Sequence, residues 1–162
     1  MASAHEHYVH RKRCLICEII HQEQEDGGRV VAESDSFIAF TPFASRFPFE
    51  LWVAPRIHCH DFTLLEEEHF HHLAVIVKDV LTRLRGVLDD PPYNLILHNV
   101  PPAAGRTTGP DRPGGIEDEY HWYFELIPRV TTIAGFEWGT GFQINPTSPE
   151  DAAKYLREGS RL

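Results

Sequence analysis

Residues 120–127, Tyr120-His-Trp-Tyr-Phe-Glu-Leu-Ile127, stopped by Pro128, decide how this chain folds. Aromatic and β-favouring residues over that length predict a strand, and successive side chains of a strand point to opposite faces. His121, Tyr123, Glu125 and Ile127 then share one face, and Trp122, Phe124 and Leu126 the other. The second face is wholly apolar and is expected to pack on helices. The first is polar and carries the chemistry.

Working outward, the segments around Arg29-Val-Val-Ala-Glu-Ser34, Phe37-Ile-Ala-Phe40, Phe49-Glu-Leu-Trp-Val-Ala54 and Tyr93-Asn-Leu-Ile-Leu-His98 have strand character, each bounded by a turn or a proline. Between the last two, Phe70, Leu73, Val77, Val80, Leu81, Leu84 and Leu88 recur at helical spacing. Thr63 with Glu66 fits a capping box at the start of that helix, and Asp89-Asp90-Pro91-Pro92 ends it. Residues 99–118, rich in Pro and Gly, predict a long loop, and residues 135–145 a glycine-loosened strand or strand pair. Ser148 before Pro149, Glu150 and Asp151 predicts the cap of a short helix carried by Ala152, Ala153, Tyr155 and Leu156. The expected class is α+β: a mostly antiparallel sheet covered by one long and one short helix. Residues 1–13 are expected to be a flexible N-terminal tail, 14–157 one domain, and 158–162 a C-terminal tail.

The chain has 162 residues, enough for one domain, and a formal net charge of −9 with 11 histidines taken as neutral. Such an acidic chain does not hold extended nucleic acid by bulk charge, although a local pocket for one phosphate or nucleotide remains compatible with it. No apolar run reaches the ~20 residues needed to span a bilayer, and no leader is evident, so a cytoplasmic location is the expectation. Three cysteines, two of them in Cys14-x-x-Cys17, argue for a metal clip or a redox pair over a disulfide framework. A four-ligand site would need histidines, and His58, His60, His98 and His121 are the candidates. Cys59 fits a small buried hydrophobe. His69, His71 and His72 fit an exposed helix surface.

Several stretches resemble the histidine triad superfamily: Pro55-Arg-Ile-His58 followed by Phe62, and His121-Trp-Tyr-Phe-Glu-Leu-Ile-Pro-Arg129. Cys14-x-x-Cys17, Arg46-Phe-Pro-Phe-Glu-Leu-Trp52, Pro91-Pro-Tyr-Asn94, Gly135-Phe-Glu137 and Ser148-Pro-Glu-Asp-Ala-Ala-Lys-Tyr-Leu-Arg157 bring it closer to the galactose-1-phosphate uridylyltransferase branch. Transferases of that branch have two modules, and this chain resembles the C-terminal one over residues 14–157. The resemblance implies zinc held by Cys14, Cys17, His58 and His121. It also implies a nucleotidyl-transfer site whose nucleophilic second signature histidine is here Tyr123 and whose third position is Glu125. A phenol ordinarily ionises only near pH ~10 and is a weaker nucleophile than imidazole at neutral pH, so the implied chemistry is non-standard.

Tyr123, Glu125 and His98 are therefore the candidate catalytic groups, and Asn99, Arg46 and Arg129 the candidate ligand-binding ones. The expected partner is a small phosphorylated or nucleotide-like molecule. A binding module without turnover, and an enzyme of another reaction class using Tyr123 and Glu125 as acid and base, are the alternatives. Family resemblance also implies a homodimer, for which Phe47, Phe49, Trp52 and Tyr155 offer apolar material.

Overall fold

The structure is a computed structural model and describes residues 2–101, 115–132 and 134–159. Five strands, β1 (Val30–Glu33), β2 (Phe37–Phe40), β3 (Leu51–Pro55), β4 (Tyr93–His98) and β5 (Tyr123–Pro128), form one antiparallel sheet in the order β1-β2-β3-β5-β4. β5 is central to the site because it lies between β3 and β4. Trp52 stands opposite Glu125, and His98 stands opposite Tyr123.

The α+β class and the antiparallel sheet hold, but one long and one short helix are too few. Six helices are present among the described residues: α1 (Ala2–Arg11), α2 (Leu15–Asp26), α3 (Glu67–Leu88), α4 (Ile116–Glu119), α5 (Gly135–Thr140) and α6 (Pro149–Glu158). α1 occupies most of the stretch expected to be a tail. The stretch 135–140, expected as strand, is helical for a local reason. The Ala134 N–H donates to Glu137 Oε2 at 2.8 Å, and Gly141, at φ 75°, supplies the left-handed residue that ends the turn. Most of the expected 99–118 loop, residues 102–114, lies outside the described residues, and 116–119 is α4.

α3 starts later than the capping box implies. Asp61, not Thr63, accepts the N–H, and it caps a short 3-10 turn at Phe62–Leu64 that precedes the helix. The buried residues of α3 are Leu73, Ile76, Val80, Leu84 and Val87, one stripe, while Phe70 is exposed. α6 begins as its sequence predicts, with Ser148 Oγ accepting from the Asp151 N–H at 3.1 Å.

α3 and α6 pack on one face of the sheet, over Phe37, Leu51, Val53, Trp122 and Leu126. That is the apolar face of β5, as the alternation requires. On the other face α2 lays Ile16, Ile19 and Ile20 over Ile38, Phe40 and Ala54, with Trp52 and Tyr123 at the margin of this smaller core. Beyond that cover, β5 and β4 carry the polar residues. No helix among the described residues is long and apolar enough to cross a membrane.

Candidate functional site

Two clusters sit along β5. The first gathers Cys14, Cys17, His58 and His121, whose ligand atoms all lie within 4.8 Å of one another. Cys14 occupies the N-cap position of α2, so the helix start turns both thiols to one side. His58 comes from the turn after β3, and His121 directly precedes β5. Cys17 Sγ lies 3.2 Å from His58 Nδ1 and 3.3 Å from His121 Nδ1. Tetrahedral bonds of about 2.3 Å to sulfur and about 2.0 Å to nitrogen set a ligand-to-ligand separation of roughly 3.5 Å, so the spacing fits a Cys2His2 centre.

The outer ring nitrogens support the same assignment. His58 Nε2 donates to the Glu117 carbonyl at 2.7 Å, and buried His121 Nε2 donates to the Pro55 carbonyl at 3.0 Å. Each bond fixes the tautomer and leaves the Nδ1 lone pair facing the sulfurs. The hydrogen bond from Cys17 lowers Cys14, while the same bond and burial push Cys17 up. The hydrogen bond to Cys14 also raises His58. A divalent ion amid these four atoms would allow both sulfurs to be thiolates. His60 and His98 are not part of the group, and Cys59 packs as a hydrophobe against the core.

The second cluster is the polar face. Glu125 is 3% exposed, yet it keeps its charge. Burial pushes its carboxyl up, but hydrogen bonds from His98 and Arg46 outweigh that and hold it below the usual range. His98 Nε2 is 2.6 Å from Glu125 Oε2, and Arg46 Nη2 donates to Oε1 at 2.8 Å. The side chain of Arg46 remains 58% exposed, and that of His98 33%.

Tyr123 is held between two rings, His98 at 4.5 Å and 14°, and Trp52 at 4.4 Å and 31°. Burial, then the charge of Glu125, push its phenol well above the ordinary value, with Arg46 opposing. Its proton therefore stays on at neutral pH.

Sequence reasoning missed Glu50. This buried carboxylate accepts from the Arg46 and Phe47 backbone N–H groups at 2.8 and 3.3 Å and from Trp52 Nε1 at 3.1 Å. It thereby fixes the loop that delivers Arg46 and orients the indole beside Tyr123. Burial raises its carboxyl. The Arg46-to-Trp52 stretch held a signal: Glu50 and Trp52, two apart at a strand start, share a face.

Asn99 and Arg129 are not brought into this cluster. Asn99 Oδ1 accepts from the Phe62 N–H at 2.7 Å and Nδ2 donates to Asp61 at 3.0 Å, which ties down the turn before α3. Arg129 is exposed past the end of β5, its backbone N–H bonded to the Pro92 carbonyl. His5 and His7, on α1, pair with Glu119 and Glu18.

The family described as the C-terminal domain of galactose-1-phosphate uridyl transferase matches residues 2–158. ADP-glucose phosphorylase of Arabidopsis thaliana is 34% identical over 148 residues, covering 91% of this chain and 38% of that protein. A crystal structure of an ADP-glucose phosphorylase from the same plant with bound ADP-glucose aligns at a TM-score of 0.80 and 32% identity, covering 97% of this chain and 47% of that one. A zinc-bound histidine triad family protein from Mycobacterium smegmatis aligns at a TM-score of 0.57 and 18% identity, over 90% of this chain and 91% of that one, which speaks to the fold alone. The chain thus spans less than half the length of the phosphorylase it matches.

Proposed function

The chain belongs to the galactose-1-phosphate uridyl transferase C-terminal domain family, and on that premise we propose a zinc-bearing, histidine-triad-like protein acting on a small phosphorylated or nucleotide-like substrate, with His98, not Tyr123, as the reacting side chain. One observation carries this reading: a partly exposed imidazole is hydrogen-bonded at 2.6 Å to a buried carboxylate. A carboxylate that orients a histidine and stabilises its protonated form is the arrangement general acid–base and nucleophilic sites use. Tyr123, locked between rings and held protonated, lines the site and stacks His98 in place.

Arg46 supplies the anion contact in this reading. One edge of its guanidinium neutralises Glu125, and the remainder is open to a phosphate. Because Glu125 is already paired with Arg46 and His98, its charge opposes an incoming phosphate far less than a free carboxylate would. Cys14, Cys17, His58 and His121 would hold zinc, which would then act as a staple between the start of α2, the turn after β3 and the segment just before β5. The ADP-glucose bound to the Arabidopsis enzyme makes sugar nucleotides the first substrates to try.

The test is turnover of ADP-glucose with phosphate, and of UDP-glucose with a hexose phosphate, by the chain and by His98→Asn. The expected loss in the variant is about 10²–10⁴-fold, with the fold retained. Equal turnover by both proteins would refute the role of His98. A second reading, a nucleotide-binding module without turnover, is favoured by the protonated, ring-flanked Tyr123 at the signature position. Calorimetric binding of ADP-glucose by a wild type that shows no turnover would select it.

A further inference from the structure

α1 takes no part in either cluster along β5, yet it is fastened to the surroundings of the first. A helix of ten residues is marginal by itself in water, and none of the side chains described in α1 is buried. Its place is therefore set by bonds to its neighbours. His5 and His7 make two of them. Residues two apart on a helix point about 200° apart, so the two rings reach different flanks. His5 Nδ1 donates to Glu119 Oε1 of α4 at 3.0 Å, and His7 Nε2 donates to Glu18 Oε2 of α2 at 2.7 Å.

Both carboxylates belong to segments that present the metal donors. Glu18 follows Cys17 directly in the first turn of α2. Glu119 lies two residues before His121, and Glu117, in the same short helix, supplies the carbonyl that orients His58. α1 thus ties the segment holding the thiols to the segment that sets the imidazoles. A cavity of about 440 Å³ lies beside the donors, and Tyr8 and Lys12 line it together with Cys14, Cys17, Glu18 and His58. Cys14 and His121 are buried, whereas Cys17 is half-buried and His58 exposed. The donor set therefore meets solvent where α1 ends. The chain leaves α1 through Lys12, two residues before Cys14, held at φ 57°, a left-handed conformation that a lysine adopts at a cost.

We propose that α1 is a strap over the port by which an ion enters and leaves the Cys14, Cys17, His58 and His121 donors, latched by His5 and His7. The inference rests on the metal reading given above and adds to it the route and the control of exchange. With the latches closed, Tyr8 stays in the wall of the cavity, and α2 and α4 hold the four donors in register. Release of the His7 bond frees α1 to lift about Lys12 while the sheet stays packed, because neither hydrophobic core draws a side chain from α1. A local opening of this kind costs far less than global unfolding. An incoming chelating group then reaches Cys17 and His58 before the two buried donors.

The test is the rate at which zinc passes from the full, folded chain to excess pyridylazoresorcinol at neutral pH. His7→Ala should release zinc about 10-fold faster than the wild type. Its partner Glu18 is 29% exposed, so the variant strands no buried charge. His7→Gln keeps a donor for Glu18 and should stay within about threefold of the wild-type rate, and His10→Ala, exposed on the same helix, should match it. Hydrogen exchange should quicken in α1 of His7→Ala and stay unchanged in the sheet. Zinc-loaded wild type and His7→Ala with equal release rates would overturn the strap alone. Faster release accompanied by equally faster exchange throughout the sheet would overturn it too, because the ion would then leave by global unfolding. Folded wild type that holds no metal would overturn the metal reading and the strap with it.

Discussion

His121 and Glu125 stand four residues apart, one just before β5 and one within it, and their surroundings handle charge in opposite ways. Around His121, two thiols and two Nδ1 lone pairs converge with backbone carbonyls behind the rings. Every inward group is an electron-pair donor, and the hydrogen bond between the two thiols lowers Cys14 and raises Cys17. Around Glu125 the charge is already balanced, since a guanidinium and an imidazole each take one carboxylate oxygen. The first cluster has the donors to hold a cation. The second is complete without one, and what it leaves over is an oriented, partly exposed His98 and the open edge of Arg46. The proposed metal site and the proposed ligand site thus lie along one stretch of chain, with Tyr123 between His121 and Glu125.

The harshest way to break this comparison is Cys14→Ser. If metal binding at the first cluster is part of folding, the variant should lose the cooperative thermal transition of the wild type, and chelator should do the same to the wild type. Circular dichroism during a thermal scan checks both. An unchanged transition would reduce the cluster to a packing feature.

A middle-sized effect is expected at the second cluster. Glu125→Gln keeps the size of the side chain but leaves Arg46 and His98 without their carboxylate. The cost in urea unfolding should be about 1–2 kcal/mol, toward the lower end for hydrogen bonds to charged groups because Arg46 is more than half exposed. The sign of its pH dependence follows from the lowered carboxyl. Folding moves the Glu125 value below 4.5, so the carboxylate contributes stability above about pH 4.5 that is lost as pH falls through the folded value. Urea midpoints measured between neutral and acid pH should therefore fall less steeply in the Gln variant than in the wild type.

Tyr123→Phe sharpens the comparison through a small effect. The ring and its two stacking partners remain, and only a hydroxyl that stays protonated is lost. Turnover should change less than threefold or so, against the roughly 10²–10⁴-fold of a positioned acid or base. A loss of that larger size, with the melting temperature kept, would return the reacting role to the phenol.

What could be read from the sequence follows the range of the interactions involved. The two faces of β5 follow from alternation alone, and α6 follows from Ser148 and Pro149, because both signals are local. α2 was invisible for the opposite reason. Its buried face uses Ile20 and Glu23, and Glu23 is a buried position only because Arg29, beyond the turn, meets it at 2.8 Å. α5 looks like a loosened strand until the side chain of Glu137 is seen accepting the Ala134 and Ile144 N–H groups. The two cysteines were legible as a pair, and the resemblance singled out His58 and His121 from four histidines. Glu50 was legible only as far as the face it shares with Trp52. Its role depends on backbone N–H groups presented by a turn in which Phe49 adopts φ 58°, a conformation no spacing rule announces.

The most direct test of the account is the metal content of the full chain, purified without added metal and assayed by elemental analysis alongside a measure of folding. About one zinc per chain is expected, lost together with the fold on denaturation in chelator. Well-folded protein carrying less than about a tenth of an equivalent of zinc or any other transition metal would contradict it, because the donor set around His121 would then be holding the fold without the cation that its chemistry calls for.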